Sequence, residues 1–463
     1  MVTRALTVVV ILAALQLTGC AVFRSYDSEL QETNQQLTAG NVDAALELLE
    51  SNNKGESKDL LYYFEKGELL RSKGDLQGSQ QAWRAADGVV LGWEESVKLD
   101  TEKYLSQFGS FLVNDKVRRY EGYDYEKVML TTQMALNLLA MNDFDGARTE
   151  IKKTHEREAV IAELRDRQYL KREEQAEQQG VKTELKDLHG YPVASLDAPE
   201  VVSLKNSYQS AFSHYLAGFV YEALGEKGLA APGYRKAAEL RPNTPLLEQA
   251  LLDLDKNGAS SAESDVLIVV QSGLAPARGS INIPLPLVIK DNLVITPLSF
   301  PVVKEDTSTT YFSQITLNDQ AVPLTALNST SAMSRRALRD DMPGIILRTS
   351  VRAASRVVAQ KELNETNPLA GLIVGILSAV TESADTRTWR TLPNETQVAR
   401  VRLAPGEHRL NLPAGLGASQ VMVKIDRPYQ VVSLRVLGRQ VFASGPAAHV
   451  VPLAQPQALA SLK

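Results

Sequence analysis

Apolar and small residues in the first half of this chain recur at fixed offsets. In residues 211–244, Gly218, Tyr221, Gly225, Ala230, Tyr234, Ala237 and Pro242 stand at offsets 8, 11, 15, 20, 24, 27 and 32 when Ala211 is counted as 1. The spacing predicts two antiparallel helices. Small residues at 8 and 20 let the helices approach, and the aromatic at 24 fills the next layer. Glycine at 15 turns the chain, and proline at 32 ends the second helix. The same register recurs from Leu60, with Gly67, Leu70, Gly74, Ser79, Trp83 and Ala86, and from Val128, with Ala135, Leu138, Asn142, Ala147 and Ile151. From Tyr26 only Gly40 and Ala45 fit, and the first helix reads as weak.

Two stretches break this rhythm. Lys98 to Tyr125 is rich in aromatics (Tyr104, Phe108, Phe111, Tyr120, Tyr123, Tyr125) and reads as a divergent helical layer or an aromatic contact surface. An insertion at about 155–190 mixes charges of both signs, among them Glu156, Arg157, Glu158, Arg165, Arg172 and Glu173. That composition suits a long solvated helix held by pairs one turn apart.

After a polar, small-residue linker at 255–264, the apolar pattern shortens. Runs at Val266–Val270, Leu285–Ile289, Leu293–Ile295, Gln314–Leu317, Gln397–Leu403, His408–Leu412, Val421–Ile425, Tyr429–Leu437 and Gln440–Ala443 predict short strands with Pro/Gly turns. Residues 265–463 therefore read as a sandwich-like β domain. Prolines inside several runs place those at edges or in loops. A helical hairpin at about 334–385 interrupts the strands. Its first helix is predicted to start near Pro343, with Ile346, Leu347, Val351, Ala354 and Val358 on one face. Arg348, Arg352 and Arg356 form a basic stripe that offers itself to lipid head groups or an acidic glycan. Leu369 to Val380 is almost wholly apolar and reads as hairpin core or as an interface. The expected fold class is α+β in several domains: a helical repeat domain over 20–254, then the β-rich domain.

The N-terminus changes this picture. Arg4 precedes the apolar run Ala5–Leu17, which is too short to span a bilayer, and the small pair Thr18-Gly19 follows. Residues 1–19 thus read as a secretory signal. Cys20 comes next and is the only cysteine. Leu17-Thr-Gly-Cys20 resembles a bacterial lipobox. The resemblance implies that the Cys20 thiol carries covalent lipid (diacylglycerol and palmitate). Because Ala21 rather than an aspartate follows, it also implies delivery to the outer membrane, facing the periplasm. Fifty basic against 55 acidic residues give a formal charge of −5, which argues against nucleic acid as a partner.

The repeat pattern resembles a tetratricopeptide array over roughly residues 26–252. The whole is similar to Gram-negative outer-membrane lipoproteins that join such repeats to a β-rich tail. In tetratricopeptide proteins the first helix of each repeat lines a binding groove. That resemblance points to Phe64, Glu68 and Arg71 in the Leu60 unit, and to Tyr215, Phe219 and Glu222 in the Ala211 unit. Reversing charge at Glu68 and Arg71 is expected to weaken partner capture without unfolding. Chemistry is otherwise thin. His155, His189, His214, His408 and His449 fall in no metal-binding motif, and no H-E-x-x-H, G-x-S-x-G or phosphate loop occurs. The expectation is a non-enzymatic envelope adaptor with no cofactor or metal. It is anchored by its lipid and binds unidentified envelope proteins, a cell-wall synthesis enzyme being one such partner. The rival expectation is an accessory that binds or helps export polysaccharide.

Overall fold

The computed structural model describes residues 26–108, 119–255 (apart from 180, 182, 186, 187 and 189), 262–289, 292–304, 309–366, 384–413, 416 and 420–451. The signal segment, Cys20, most of the linker, Phe111, His189 and the apolar run 369–380 lie outside the described residues.

The helices pair in sequence order. α1 (Tyr26–Ala39) packs with α2 (Val42–Asn52), and α3 (Leu60–Lys73) with α4 (Leu76–Leu99). After α5 (Thr101–Phe108) come α6 (Asp124–Ala140) and α7 (Phe144–Gln179). Two short turns, α8 (Val193–Leu196) and α9 (Pro199–Val202), lead to α10 (Ala211–Ala223), α11 (Lys227–Leu240) and α12 (Pro245–Asp255). The four hairpins are those predicted, and α1 forms despite its weak pattern. Offset 15 is left-handed in every hairpin, with φ of 90° at Gly40, 90° at Gly74, 61° at Asn142 and 76° at Gly225. Glycine takes that conformation without steric cost, and asparagine is the side chain that tolerates it best.

The aromatic at offset 24 has a different role from the one expected. It fills the gap left at offset 8 of its own hairpin, not the next layer. A Cβ on Gly67 would overlap the Trp83 indole, and one on Gly218 would lie 2.5 Å from the Tyr234 ring. Trp83 Nε1 donates to the Phe64 carbonyl at 3.3 Å. The charged insertion also differs from expectation. α7 is one 36-residue helix, and Arg157, Glu158, Val160, Ile161, Leu164 and Gln168 are buried along it. Arg157 is buried because α4 supplies partners, Asp87 at 2.7 Å and Glu94 at 2.5 Å. A mixed-charge pattern does not reveal whether its partners lie on the same helix or on a neighbour.

Among the described residues the strands form two five-stranded sheets and a ribbon. The first sheet has the order β11 (Gln440–Ser444), β10 (Tyr429–Leu437), β1 (Ser264–Ser272), β7 (Glu395–Leu403), β6 (Thr325–Ser329). The second has the order β12 (Ala448–Val451), β9 (Gln420–Ile425), β8 (Gly406–Asn411), β4 (Gln314–Leu317), β5 (Gln320–Pro323). β1 runs parallel to β10 and antiparallel to β7. The ribbon pairs β2 (Arg278–Ile289) with β3 (Asn292–Val303) and sets Pro284 opposite Pro297. Both its strands are edges, where proline is tolerated. α13 (Thr330–Thr366) starts thirteen residues before Pro343 and carries that proline inside it. It starts early because Ser331 N donates to Asn394 Oδ1 at 3.0 Å and Ala332 N to Ser329 Oγ at 3.4 Å. Those side chains satisfy N–H groups that a helix start leaves free.

The first sheet is buried on both faces. Val266, Ile268, Val270, Val432, Leu434 and Val436 pack against the second sheet. Leu267, Val269, Val398 and Val431 pack instead among the helices, with Leu136, Phe219 and Tyr234. Successive strand residues point to opposite faces, so helices, first sheet and second sheet form three layers.

The glycine at offset 8 can be tested. Gly67→Ala is expected to destabilise the protein by at least about 1–3 kcal/mol through overpacking against Trp83. Gly88→Ala in α4, with nothing within 4 Å of the added Cβ, is expected to stabilise by about 0.5–1 kcal/mol. Thermal unfolding of both variants checks this. Equal effects would sink the close-packing account.

Candidate functional site

α3, α6 and α10 are the first helices of their hairpins, and their shared face meets the first sheet. α6 is buried along its entire length. The predicted groove residues do line this face, but the chain's own sheet and a connecting segment fill the space before them. Phe64, Glu68, Arg71, Tyr215 and Phe219 are buried, and the Glu222 side chain is 11% exposed. The expectation of a groove free for a separate partner, and of charge reversal without unfolding, is therefore corrected: Glu68 and Arg71 belong to a buried seam.

The seam is polar. Arg71 donates to Gln133 Oε1 at 2.7 Å, Gln271 Oε1 at 2.9 Å and Ser433 Oγ at 2.6 Å. Arg435 of β10 reaches back to Glu68 at 2.9 Å and to the Thr391 carbonyl at 3.1 Å. Burial pushes the Arg435 guanidinium down to about 10 and lowers Arg71 as well. A second cross-link joins the Ala211 unit to the sheet. Arg400 of β7 grips Asp265 through Nε at 2.8 Å and Nη2 at 2.6 Å. It also contacts Glu222 at 2.8 Å and Tyr234 Oη at 2.9 Å. Phe219 packs edge-on to Tyr429, with ring centroids 5.8 Å apart.

Residues 384–394 enter the groove as neither helix nor strand, with bends at 390–392 and 394. Trp389 is fully buried and stacks on Phe64 at 4.4 Å between centroids, with Trp83 edge-on at 6.1 Å. Two helix carboxylates hold the segment's backbone. Glu126 accepts from Trp389 N at 2.7 Å and Thr388 Oγ1 at 2.8 Å. Glu65 accepts from Arg390 N at 2.7 Å and Thr391 N at 2.9 Å. Burial raises both carboxyls, Glu65 to about 7, against the pull of these hydrogen bonds. Glu65 also faces Tyr26 Oη at 3.3 Å, and the Arg390 guanidinium turns away to Asp27 at 3.0 Å. Of this set, the sequence reading missed Glu65, Glu126, Trp389, Arg400 and Arg435. The available signal was charge inside apolar runs, as at Arg435 within Val431–Leu437.

The basic stripe is only partly open to a ligand among the described residues. Arg352 is buried, and Arg348 is half-buried beside Arg172 and Lys171 in a small cleft between α7 and α13. The Arg356 side chain lies outside the described residues. The His155 ring stacks on His214 with centroids 5.2 Å apart, and His214 Nε2 lies 3.1 Å from Glu158. Among the described residues no group of three or more His, Cys, Asp or Glu is placed to hold a metal ion. Among them, too, no helix is long and apolar enough to cross a membrane.

No protein-family model matches this chain, and no curated protein matches it. Among solved structures it is similar to a tetratricopeptide repeat protein from Parabacteroides merdae, at 15% identity over 50% of this chain and 99% of that one, with a TM-score of 0.14. So loose a superposition leaves the fold to be defined by its own geometry. The class is a tetratricopeptide-like helical repeat domain followed by a β-rich domain.

Two outcomes follow from the groove. Arg435→Ala leaves Glu68 buried beside Arg71 alone, at 4.0 Å, and is expected to cost about 3–5 kcal/mol. Circular dichroism should show the helical signal melting earlier, although Arg435 lies in a strand; an unchanged helical transition would contradict the seam. The second outcome concerns pH. Glu65 and Glu395 are both raised to about 7 by burial, so each favours the folded state fully below about pH 4.5, and this is lost as pH rises through 7. For Glu65 the loss is at most about 3 kcal/mol. The unfolding midpoint is expected to fall between pH 5 and 8, and to fall less in Glu65→Gln. Equal slopes would refute the assignment to Glu65.

Proposed function

We propose that this chain is a lipid-tethered protein of the bacterial cell envelope that acts as a non-catalytic scaffold for protein partners. The observation that carries this reading is the groove: first-helix side chains hold a stretch of polypeptide by its backbone and one aromatic side chain. Helical repeats offer such concave surfaces for chain recognition, and a fold alone does not assign a function.

The tether adds a constraint. Five residues separate Cys20 from Tyr26, where α1 begins. Even fully extended they reach only about 20 Å. A lipid on Cys20 therefore holds the repeats close to the membrane surface, and a partner must come to that surface. A synthase of the cell wall, working beside the membrane, fits this placement.

Two measurements test the proposal. Metabolic labelling with palmitate should mark the wild-type chain and not Cys20→Ser; label retained on the variant removes the anchor. Crosslinking in the intact envelope, with Cys20→Ser as control, should enrich one envelope assembly. Recovery of the bait alone, with crosslinking shown on a known complex, overturns the scaffold.

A further inference from the structure

The way residues 388–391 are held resembles the capture of a ligand more than the continuation of a fold. Within a sheet, backbone N–H groups pair with neighbouring strands. Here the N–H groups of Trp389, Arg390 and Thr391 instead donate to side-chain carboxylates on two helices, at 2.7, 2.7 and 2.9 Å. The indole fills an aromatic slot made by Phe64 and Trp83, in the manner of a buried anchor at a protein interface. Three contacts therefore read three features: consecutive backbone N–H groups, a tryptophan, and a neighbouring arginine that meets Asp27.

Groove polar groups also exceed what this segment satisfies. Glu68 Oε2, Arg71 Nε and Gln133 Nε2 are buried and have no hydrogen-bond partner among the described residues. All three lie in the layer between the helices and the sheet, and Glu68 is joined to the segment through Arg435, which also donates to the Thr391 carbonyl. Burying two carboxylates whose main partners are neutral N–H and O–H donors is costly as well. The occupied groove therefore holds its segment with less surplus than its burial suggests.

We propose that the slot between α3 and α6 is a binding site for a tryptophan-centred peptide of a partner protein, and that Thr388–Thr391 is the chain's own exchangeable occupant. The proposal rests on the scaffold reading and specifies its ligand. A partner peptide of the form hydroxyl–Trp–Arg displaces the internal one, with Glu65 and Glu126 reading its backbone. The chain thus keeps its groove closed until that peptide is present in excess.

The test uses the full chain and a fluorescein-labelled synthetic peptide with the sequence of residues 385–395, read by fluorescence polarisation. Trp389→Ala empties the slot and is expected to bind the peptide at least tenfold more tightly than wild type. Replacing the peptide's own tryptophan by alanine should abolish binding, as should adding Glu65→Ala and Glu126→Ala to the Trp389→Ala chain. A folded Trp389→Ala chain that does not bind overturns the proposal, as does binding indifferent to the peptide's tryptophan. Dimers formed by mutual exchange of the segment overturn it too, because the occupant is then a second copy. If Trp389→Ala does not fold, hydrogen exchange on the wild type decides. The amides of Trp389, Arg390 and Thr391 should open at least a hundredfold more often than those of Val269 and Ser433, and equal protection overturns the proposal. The peptide assay contains no envelope partner, so its failure leaves envelope crosslinking free to succeed through another surface, and the converse holds as well.

Discussion

The structure depends on a buried layer of polar contacts between the helical repeats and the first sheet. Arg71, Glu68 and Arg435 are at its centre, with Gln133, Gln271 and Ser433 completing the hydrogen bonds. Buried ion pairs add little net stability, because desolvation offsets most of their attraction. They do select one arrangement. Sliding β10 by one residue would turn Ser433 and Arg435 into the apolar space shared with the second sheet and bring Leu434 against Arg71. Either misplacement leaves charges or amides buried without partners. The seam thus fixes how the sheet registers on the helices, while apolar packing supplies the driving force on both sides.

That division explains which parts were legible in the sequence. The hairpins were, because their requirements are local: a left-handed residue at offset 15 and a small residue facing an aromatic. The strands at Gln314–Leu317 and Tyr429–Leu437 were legible through period-two alternation and turn residues, and Asn318 and Asp319 indeed take φ of 48° and 67°. What alternation hides is the identity of the second face. Ser433 and Arg435 look like solvent-facing positions of a half-exposed strand. In fact they meet Arg71 and Glu68 of α3, 362 and 367 residues earlier in the chain. The reverse error occurred on the helices, where Glu68 and Arg71 look like groove residues awaiting a partner. Polar residues meeting across two domains carry no signature of which surface they meet.

α7 and α13 repeat the lesson through charge. Arg165 reaches both Asp124 of α6 and Asp341 of α13; burial would raise Asp341, but the Arg165 and Arg172 guanidiniums outweigh it and hold Asp341 at about 2. A sequence that reads as a solvated arm therefore clamps three helices together. The starting point of α13 was obscured for a related reason. Its first N–H groups are satisfied by Ser329 and by Asn394, and the second lies 63 residues downstream of its donor. Pro343, the local start signal, sits inside the helix, where its absent N–H costs one bond and the surrounding packing tolerates it.

These contacts bear on how a protein of this design can act. Each first helix spends its inward face on the chain itself: α3 on Trp389 and Arg435, α6 on Thr388 and Trp389, α10 on Arg400 and Tyr429. A partner reaches those faces only by displacing something. The apolar contacts of the sheet are broad and shared with a second sheet, so displacing them means unfolding both. The segment at 388–391 is different, because side chains hold its backbone, Glu65 and Glu126 from two helices and Arg435 from β10, rather than the backbone of a neighbouring strand. Its contacts run to helix side chains and to Arg435, not to the strand pairing within either sheet. Any regulation of this surface from within the fold must therefore act there first.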